Sequence, residues 1–553
     1  MIGTGVVLAT LPLFALAALA VLARVIHTNW PPLWRRINAD WGVALVLTPF
    51  ALAIWVLFAR ALPGTPWVAS DSGTYLGFAP YRTLLYPMLL RVTATVTDTP
   101  AGLVQPQLIA GLVATVAFAE SAQRSIRNSF VTVTAGLLTL LSWPLLQYSV
   151  MLLTDYPFYA LFTSCMAVGL AVLRDPRWGR LAGLAVLAAT TIMLRPVGII
   201  VLVFIPLLLL AQPVVWRRMA IAFFGPLIVL MLGISALNYW VFGFFSPERF
   251  SGWGMSANTL LLLDSDTPAD HPRLRDSLVS RAAPYKNAFD KGEGVLAKYE
   301  AILLGTNPLA DMAREEVLLF GRDSGLIELS DVTRQKRLLA WINGWSPLNA
   351  ALGAATPAMA DPTWLWTDGI LSRLGRQARI HAMPQTALLA LVNLRFSLPN
   401  IVQFAPIPTS FADLHPLVLD DGDLGNQHDI ALPSREGMPA AAVEMFNAIA
   451  TPLSRMRSPV IPGITVIAGL GWIGLGTAAL LRRRRLRTDL GALAFLATCT
   501  LSYHLVVCFG QLPLPRFLIA VSAPAAMLLL TPILLASRQS PAGLRSGRVS
   551  PLR

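Results

Sequence analysis

Two carboxylates stand apart from the other acids of this chain. Of its 30 acidic residues, 23 lie within positions 243–458 and only 7 elsewhere. Among those 7, Asp40, Asp98, Glu120, Asp175 and Asp489 read as charges that mark topology or sit incidentally in loops. Asp71 and Asp155 instead fall near the ends of long apolar runs, on the same side of them. An ionisable side chain at a membrane boundary points to function by default. Arg82, Arg91, Arg195 and Arg516 fall on that same side. A guanidinium fork matches phosphate oxygens bidentately. Carboxylates beside such arginines would form a place where an anionic headgroup meets an acid/base pair. The plainer reading is that loop acids are simply solvated, and that the arginines pair with them or with lipid phosphate in general.

The elements that must position these residues are helices in a bilayer. The chain has 553 residues, 55% hydrophobic and 13% charged, with a mean hydropathy of +0.60. A soluble protein carries roughly a quarter charged residues. Several apolar runs reach the ~20 residues that cross a ~30 Å hydrocarbon core. The net charge of +13 comes from basic clusters set between these runs, as the positive-inside rule requires, so it reports topology and not a nucleic-acid surface. Nearly all basic residues are Arg; the lysines are Lys286, Lys291, Lys298 and Lys336. That usage fits a GC-rich bacterial genome; the apolar runs make the chain multi-pass, and the bacterial cytoplasmic (inner) membrane is its expected location. Cys165, Cys499 and Cys508 all lie in apolar runs, which excludes a disulfide in the central segment and a zinc site of paired-cysteine type.

Charge parity predicts an all-α polytopic fold with about 11 transmembrane helices, the N-terminus outside and the C-terminus cytoplasmic. The runs are 2–23, 42–62, 104–121, 130–149, 156–173, a pair within 181–211, 219–242, 459–481, 489–510 and 517–536. Arg195-Pro196 breaks the 181–211 stretch into two short halves, because proline ends the hydrogen-bond ladder and disfavours helix before it. This predicts a short hairpin with Arg195 at its tip. Residues 86–96 read as a short interfacial helix. The division is thus 1–242, an N-terminal module with outer loops 63–103 and 150–156; 243–458, a large and mainly helical extracytoplasmic domain between helices 8 and 9; and 459–553, a C-terminal module with a basic tail. The apolar stretch 386–405 is interrupted by Arg395 and Pro399 and reads as an amphipathic helix resting on the membrane.

Ser70-Asp71-Ser72-Gly73-Thr74-Tyr75, followed by Arg82-Thr83-Leu84-Leu85-Tyr86-Pro87, resembles the first outer loop of the GT-C superfamily of membrane glycosyltransferases, which includes protein O-mannosyltransferases and lipid A aminoarabinose transferases. Leu153-Thr154-Asp155 resembles the second-loop acidic motif, Arg195-Pro196 the basic hairpin tip, and Pro515-Arg516-Phe517 with Pro524 the late motif of that superfamily. Leu84 stands where the common pattern has its first Pro, and Ser72 where protein O-mannosyltransferases have Glu.

The resemblance implies an inverting glycosyltransferase that moves a sugar from a polyprenyl-phosphate donor to a glycan, lipid or protein acceptor at the outer face. Asp71 would be the general base. Asp155 would orient the acceptor or hold a divalent cation (Mg, Mn or Ca) beside the phosphate. Arg82, Tyr86, Arg195 and Arg516 would bind the donor phosphate, the arginines offsetting its growing charge. The alternative is a transporter, flippase or assembly protein for lipid-linked saccharides; that class tends to carry inverted repeats and midplane polar groups, and neither is visible. Trp253, Trp341, Trp345, Trp364 and Trp366 of the central segment are candidates for sugar stacking or, more simply, core packing. Asp420, Asp421, Asp423, His428 and Asp429 lack the spacing of a calcium loop. No phosphate-binding loop, dinucleotide fingerprint or serine-hydrolase elbow is present.

Overall fold

The fold is described from a computed structural model covering residues 42–61, 72–79, 82–203, 216–247, 260–325, 333–355, 363–397, 444, 460–481, 488–510 and 518–538. The first apolar run, Asp71, Trp253, most of 401–459 with its acidic cluster, the basic stretch 482–487, Arg516 and the C-terminal tail lie outside the described residues.

The regular elements are helical. In the first part of the chain they are α1 (Gly42–Ala61), α2 (Ser72–Leu76), α3 (Leu85–Thr93), α4 (Gln105–Ile126), α5 (Ser129–Leu140), α6 (Asp155–Arg174), α7 (Trp178–Leu194) and α8 (Trp216–Phe242). The central segment adds α9 (Pro272–Lys291), α10 (Gly294–Asp323), α11 (Thr333–Asn343), α12 (Pro347–Ala355), α13 (Thr363–His381) and α14 (Met383–Ser397). The last helices are α15 (Val460–Leu481), α16 (Thr488–Gly510) and α17 (Ser522–Arg538). Among the described residues, 5 helices are long and apolar enough to cross a bilayer, within α1, α4, α6, α8 and α16. Shorter apolar stretches, Ser129–Leu140, Trp178–Leu194, Gly463–Ala478 and Ile519–Pro532, fall in or beside α5, α7, α15 and α17.

Local sequence explains where these helices stop. The run predicted as 130–149 is helical only over α5, about 18 Å at 1.5 Å per residue. Pro144 has no N–H to extend the ladder, and the chain continues as short helical turns through Val150. Asn128 caps α5, its side chain accepting from Val131 N at 3.1 Å. Helix α7 ends at Leu194, and Arg195 before Pro196 is extended (φ −147, ψ 133). A 3-10 turn, Pro196–Val203, then folds back along α7. Gly198 permits that reversal, since a Cβ there would sit 2.6 Å from the Thr191 carbonyl oxygen.

One large apolar core joins α1, α3–α8 and α15–α17. A close approach of α4 to α6 seats Tyr156 against Gly111, where a Cβ would lie 2.3 Å from the ring. Glu120 has a structural use beyond topology: it pairs with Arg124 at 2.9 Å and accepts from Ala44 N at 3.0 Å, tying α1 to α4.

The central helices α9, α10, α13 and α14 enclose a second core around Leu278, Ala313 and Val317. Helix α14 is attached to α16. Its Asn393 donates to the Cys508 carbonyl at 3.0 Å, and Ser397 meets Cys508 Sγ at 3.2 Å. Those polar groups are fully buried, so the hydrogen bonds dock α14 on α16.

Candidate functional site

Three segments far apart in sequence meet at the N-terminus of α6. Asp155 opens that helix, where the helix dipole favours a negative side chain, and its carboxylate is almost fully buried (3% exposed). Arg195, delivered by the abrupt end of α7, forms an ion pair with Asp155 through Nη1 and retains 16% exposure. The guanidinium also lies 5.8 Å from the Phe158 ring centre. Phe158 and Phe162 pack against Tyr503 of α16, which brings a late helix to the pair.

The first loop is fastened to the same place. Tyr75 and Thr154 hydroxyls are 3.1 Å apart, and Ser72 Oγ donates to the Leu152 carbonyl at 3.0 Å. Thr83 Oγ1 donates to the Leu194 carbonyl at 3.1 Å, directly before Arg195. Arg82 donates from Nε to Thr74 Oγ1 at 2.9 Å, its guanidinium 4.7 Å over the Tyr75 ring. Tyr75 is therefore the hub: its ring carries Arg82 and its hydroxyl reaches the residue before Asp155.

Tyr86 braces the first loop. It is completely buried, crosses Tyr75 edge-on at 5.1 Å and donates to Gln107 Oε1 at 3.1 Å. Burial holds its phenol well above its ordinary pKa, with Tyr75 and Asp155 adding to the effect, so it remains a donor. Gln107 in turn donates to the carbonyls of Ser149 and Met151 at 2.8 and 2.7 Å. This glutamine fixes both loops at once. Its signal in the sequence is only a polar residue at the start of an apolar run.

Arg91, read with the outer-face arginines, is a structural residue. It does not face headgroups but is buried, donating to the carbonyls of Asn349 at 2.9 Å and Leu76 at 2.7 Å. Asn349 returns a bond to the Arg91 carbonyl at 3.1 Å. Burial lowers the Arg91 pKa to about 10. This reciprocal pair fastens α12 of the central segment to α3.

Of the sequence-predicted site residues, Asp155, Arg82, Tyr86 and Arg195 are thus gathered around Tyr75, whereas Asp71 and Arg516 lie outside the described residues. No group of 3 or more His, Cys, Asp or Glu side chains with the makings of a metal site occurs among the described residues. Of the tryptophans, Trp345 packs against the small cluster that contains Phe78 and Ile342, and Trp366 against the second core, while Trp341 is 63% exposed.

No family model matches the chain, and no curated protein matches it. Among solved structures, the crystal structure of ArnT from Cupriavidus metallidurans bound to undecaprenyl phosphate aligns with it at 13% sequence identity and a TM-score of 0.31. The alignment covers 93% of this chain and 82% of that one. Likeness at that level carries no argument about this chain's chemistry.

Proposed function

We propose that this protein is an inverting membrane glycosyltransferase that takes a sugar from a polyprenyl-phosphate donor at the outer face of the cytoplasmic membrane. One observation carries the reading: the Asp155–Arg195 ion pair sits where three sequence motifs converge, with the Arg82 loop hydrogen-bonded to both of its flanks. Charged groups gathered at a helix end by two loops and a hairpin tip support a functional site on physical grounds.

In this reading Arg195 and Arg82 face the donor phosphate, and Asp155 holds the Arg195 fork in the orientation that phosphate needs. Asp155 is thereby a positioning residue. Asp71 is assigned as general base from the motif that carries it, Ser70-Asp71-Ser72-Gly73-Thr74-Tyr75. The acceptor hydroxyl attacks the anomeric carbon and its proton passes to the Asp71 carboxylate. The bond from that carbon to the phosphate oxygen breaks, and the electron pair leaves with the polyprenyl phosphate. Arg195, Arg82 and Arg516 offset the charge that develops there. Direct displacement from one face inverts the anomeric centre. A divalent cation held by Asp155 would require the carboxylate to exchange Arg195 for the metal. The central segment, on the outer side, would cover the site and select the acceptor.

The test is sugar transfer from a labelled polyprenyl-phosphate sugar in proteoliposomes, alongside mass spectrometry of surface glycans and lipids in a deletion strain. Asp71→Asn and Asp155→Asn should each remove transfer, measured per amount of folded protein reconstituted. Undiminished transfer in both variants refutes the proposal.

A further inference from the structure

Helix α11 presents two unlike faces. Gln335 and Ile342 are buried toward the first loop, with Leu338 and Leu339 half-buried beside them. Gln335 Nε2 donates to the Phe78 carbonyl at 2.9 Å, and Phe78 itself holds a left-handed backbone (φ 52). The opposite face exposes Arg334, Lys336, Arg337, Ala340 and Trp341. At 100° per residue these five fall within one half of the helix circumference.

That exposed face adjoins the bilayer. Helix α8 buries little of its surface and exposes Ile221, Ile228, Val229, Leu232 and Leu237 along its length, the side chains of a lipid-facing helix. At the end where it meets α11, Tyr239, Trp240 and Phe245 are also exposed. Exposed Trp and Tyr at a span's end mark the headgroup level, where an amphipathic ring is partly wet and partly in lipid. Arg334 donates to the Trp240 carbonyl at 3.3 Å. The basic face and Trp341 therefore continue the aromatic belt of α8 at the same depth. An amphipathic helix with cations and an exposed Trp on its outward face is built to lie against anionic lipid.

We infer that the outward face of α11 is a binding surface for anionic phospholipid headgroups, with Lys336 and Arg337 meeting phosphate and Trp341 entering the interface beside Trp240. The same helix holds the loop of Phe78 on its other face. Bilayer charge is thus coupled through one rigid element to the segment that carries Tyr75 and Arg82. The inference stands on α11 and α8 alone and does not require sugar transfer.

The experiment places a bimane label at Ala340→Cys in the full chain. The native Cys165, Cys499 and Cys508 are buried, and the unsubstituted chain measures background labelling. The protein is reconstituted in phosphatidylcholine alone, or with an equal part of phosphatidylglycerol, each doped with lipid carrying a nitroxide near its headgroup. Quenching should be stronger with phosphatidylglycerol, and Lys336→Gln with Arg337→Gln should remove the difference. Each cation removed should weaken the headgroup interaction on the order of fivefold. Because both residues are exposed, gel filtration of the variant should match the parent. A label unquenched in either bilayer, or quenched equally in both, overturns the inference.

Discussion

Removing the Asp155 carboxylate should reveal how the ion pair with Arg195 is held. Asp155→Asn keeps the shape but leaves the guanidinium facing an uncharged amide. Breaking a buried pair from one side costs about 3–5 kcal/mol, because the remaining charge is left without compensation. With Arg195 at 16% exposure and Asp155 at 3%, water can reach the arginine sooner than the carboxylate. Asp155→Asn should therefore fall at the lower end, about 3 kcal/mol, and Arg195→Gln, which strands the more deeply buried group, at the upper end. The double variant removes both charges and should recover much of the loss, with a coupling of about 2 kcal/mol or more. The assay is denaturant-induced unfolding in nanodiscs, read by fluorescence for all four forms of the cycle. Additive losses would refute the pairing, and a costlier Asp155→Asn would refute the burial argument. In the transfer assay each single variant should lose on the order of 10²-fold or more, since an oriented donor at a developing charge is worth that much.

Gln107→Leu removes the acceptor for Tyr86 and two donors to the second loop. It should destabilise by about 2–4 kcal/mol and raise hydrogen exchange at 149–155. Gly111→Leu would drive side-chain atoms into Tyr156; the variant should lose about 1–3 kcal/mol, partly recovered by Tyr156→Leu in a thermal-melt comparison. Tyr86 has a folded-state pKa raised above its ordinary 10.0, so its contribution is complete below pH 10 and is lost as pH rises from there through the folded pKa. The native chain should therefore show a steeper alkaline loss of stability than Tyr86→Phe, checked by melts across that range. Asn349→Ala strands the Arg91 carbonyl and should cost about 1–3 kcal/mol, with faster proteolysis between α11 and α12.

The sequence by itself determined the helical, apolar character and, to within a few residues, the ends of α1, α6, α15 and α16. Apolar run length, basic clusters and proline positions act locally, and each is written in consecutive residues. Arg195-Pro196 is the clearest case, since ring geometry alone ends α7 there. The identity of Asp155, Arg82 and Arg195 as a candidate set was also legible, from charge placed against the hydropathy pattern. Pairing was not. That Asp155 faces Arg195, that Tyr75 joins Arg82 to Thr154, and that Gln107 braces both loops depend on contacts 40 or more residues apart, which no local period encodes. Arg91 shows the limit most plainly: its position in the chain reads as exposed and basic, yet the fold buries it against α12. Asn393 and Ser397 do the same for α14, reading as the polar side of a surface helix and serving as its attachment to α16. Whether a polar side chain meets solvent, lipid or a partner is a property of the neighbouring helix, and tertiary packing alone supplies that neighbour.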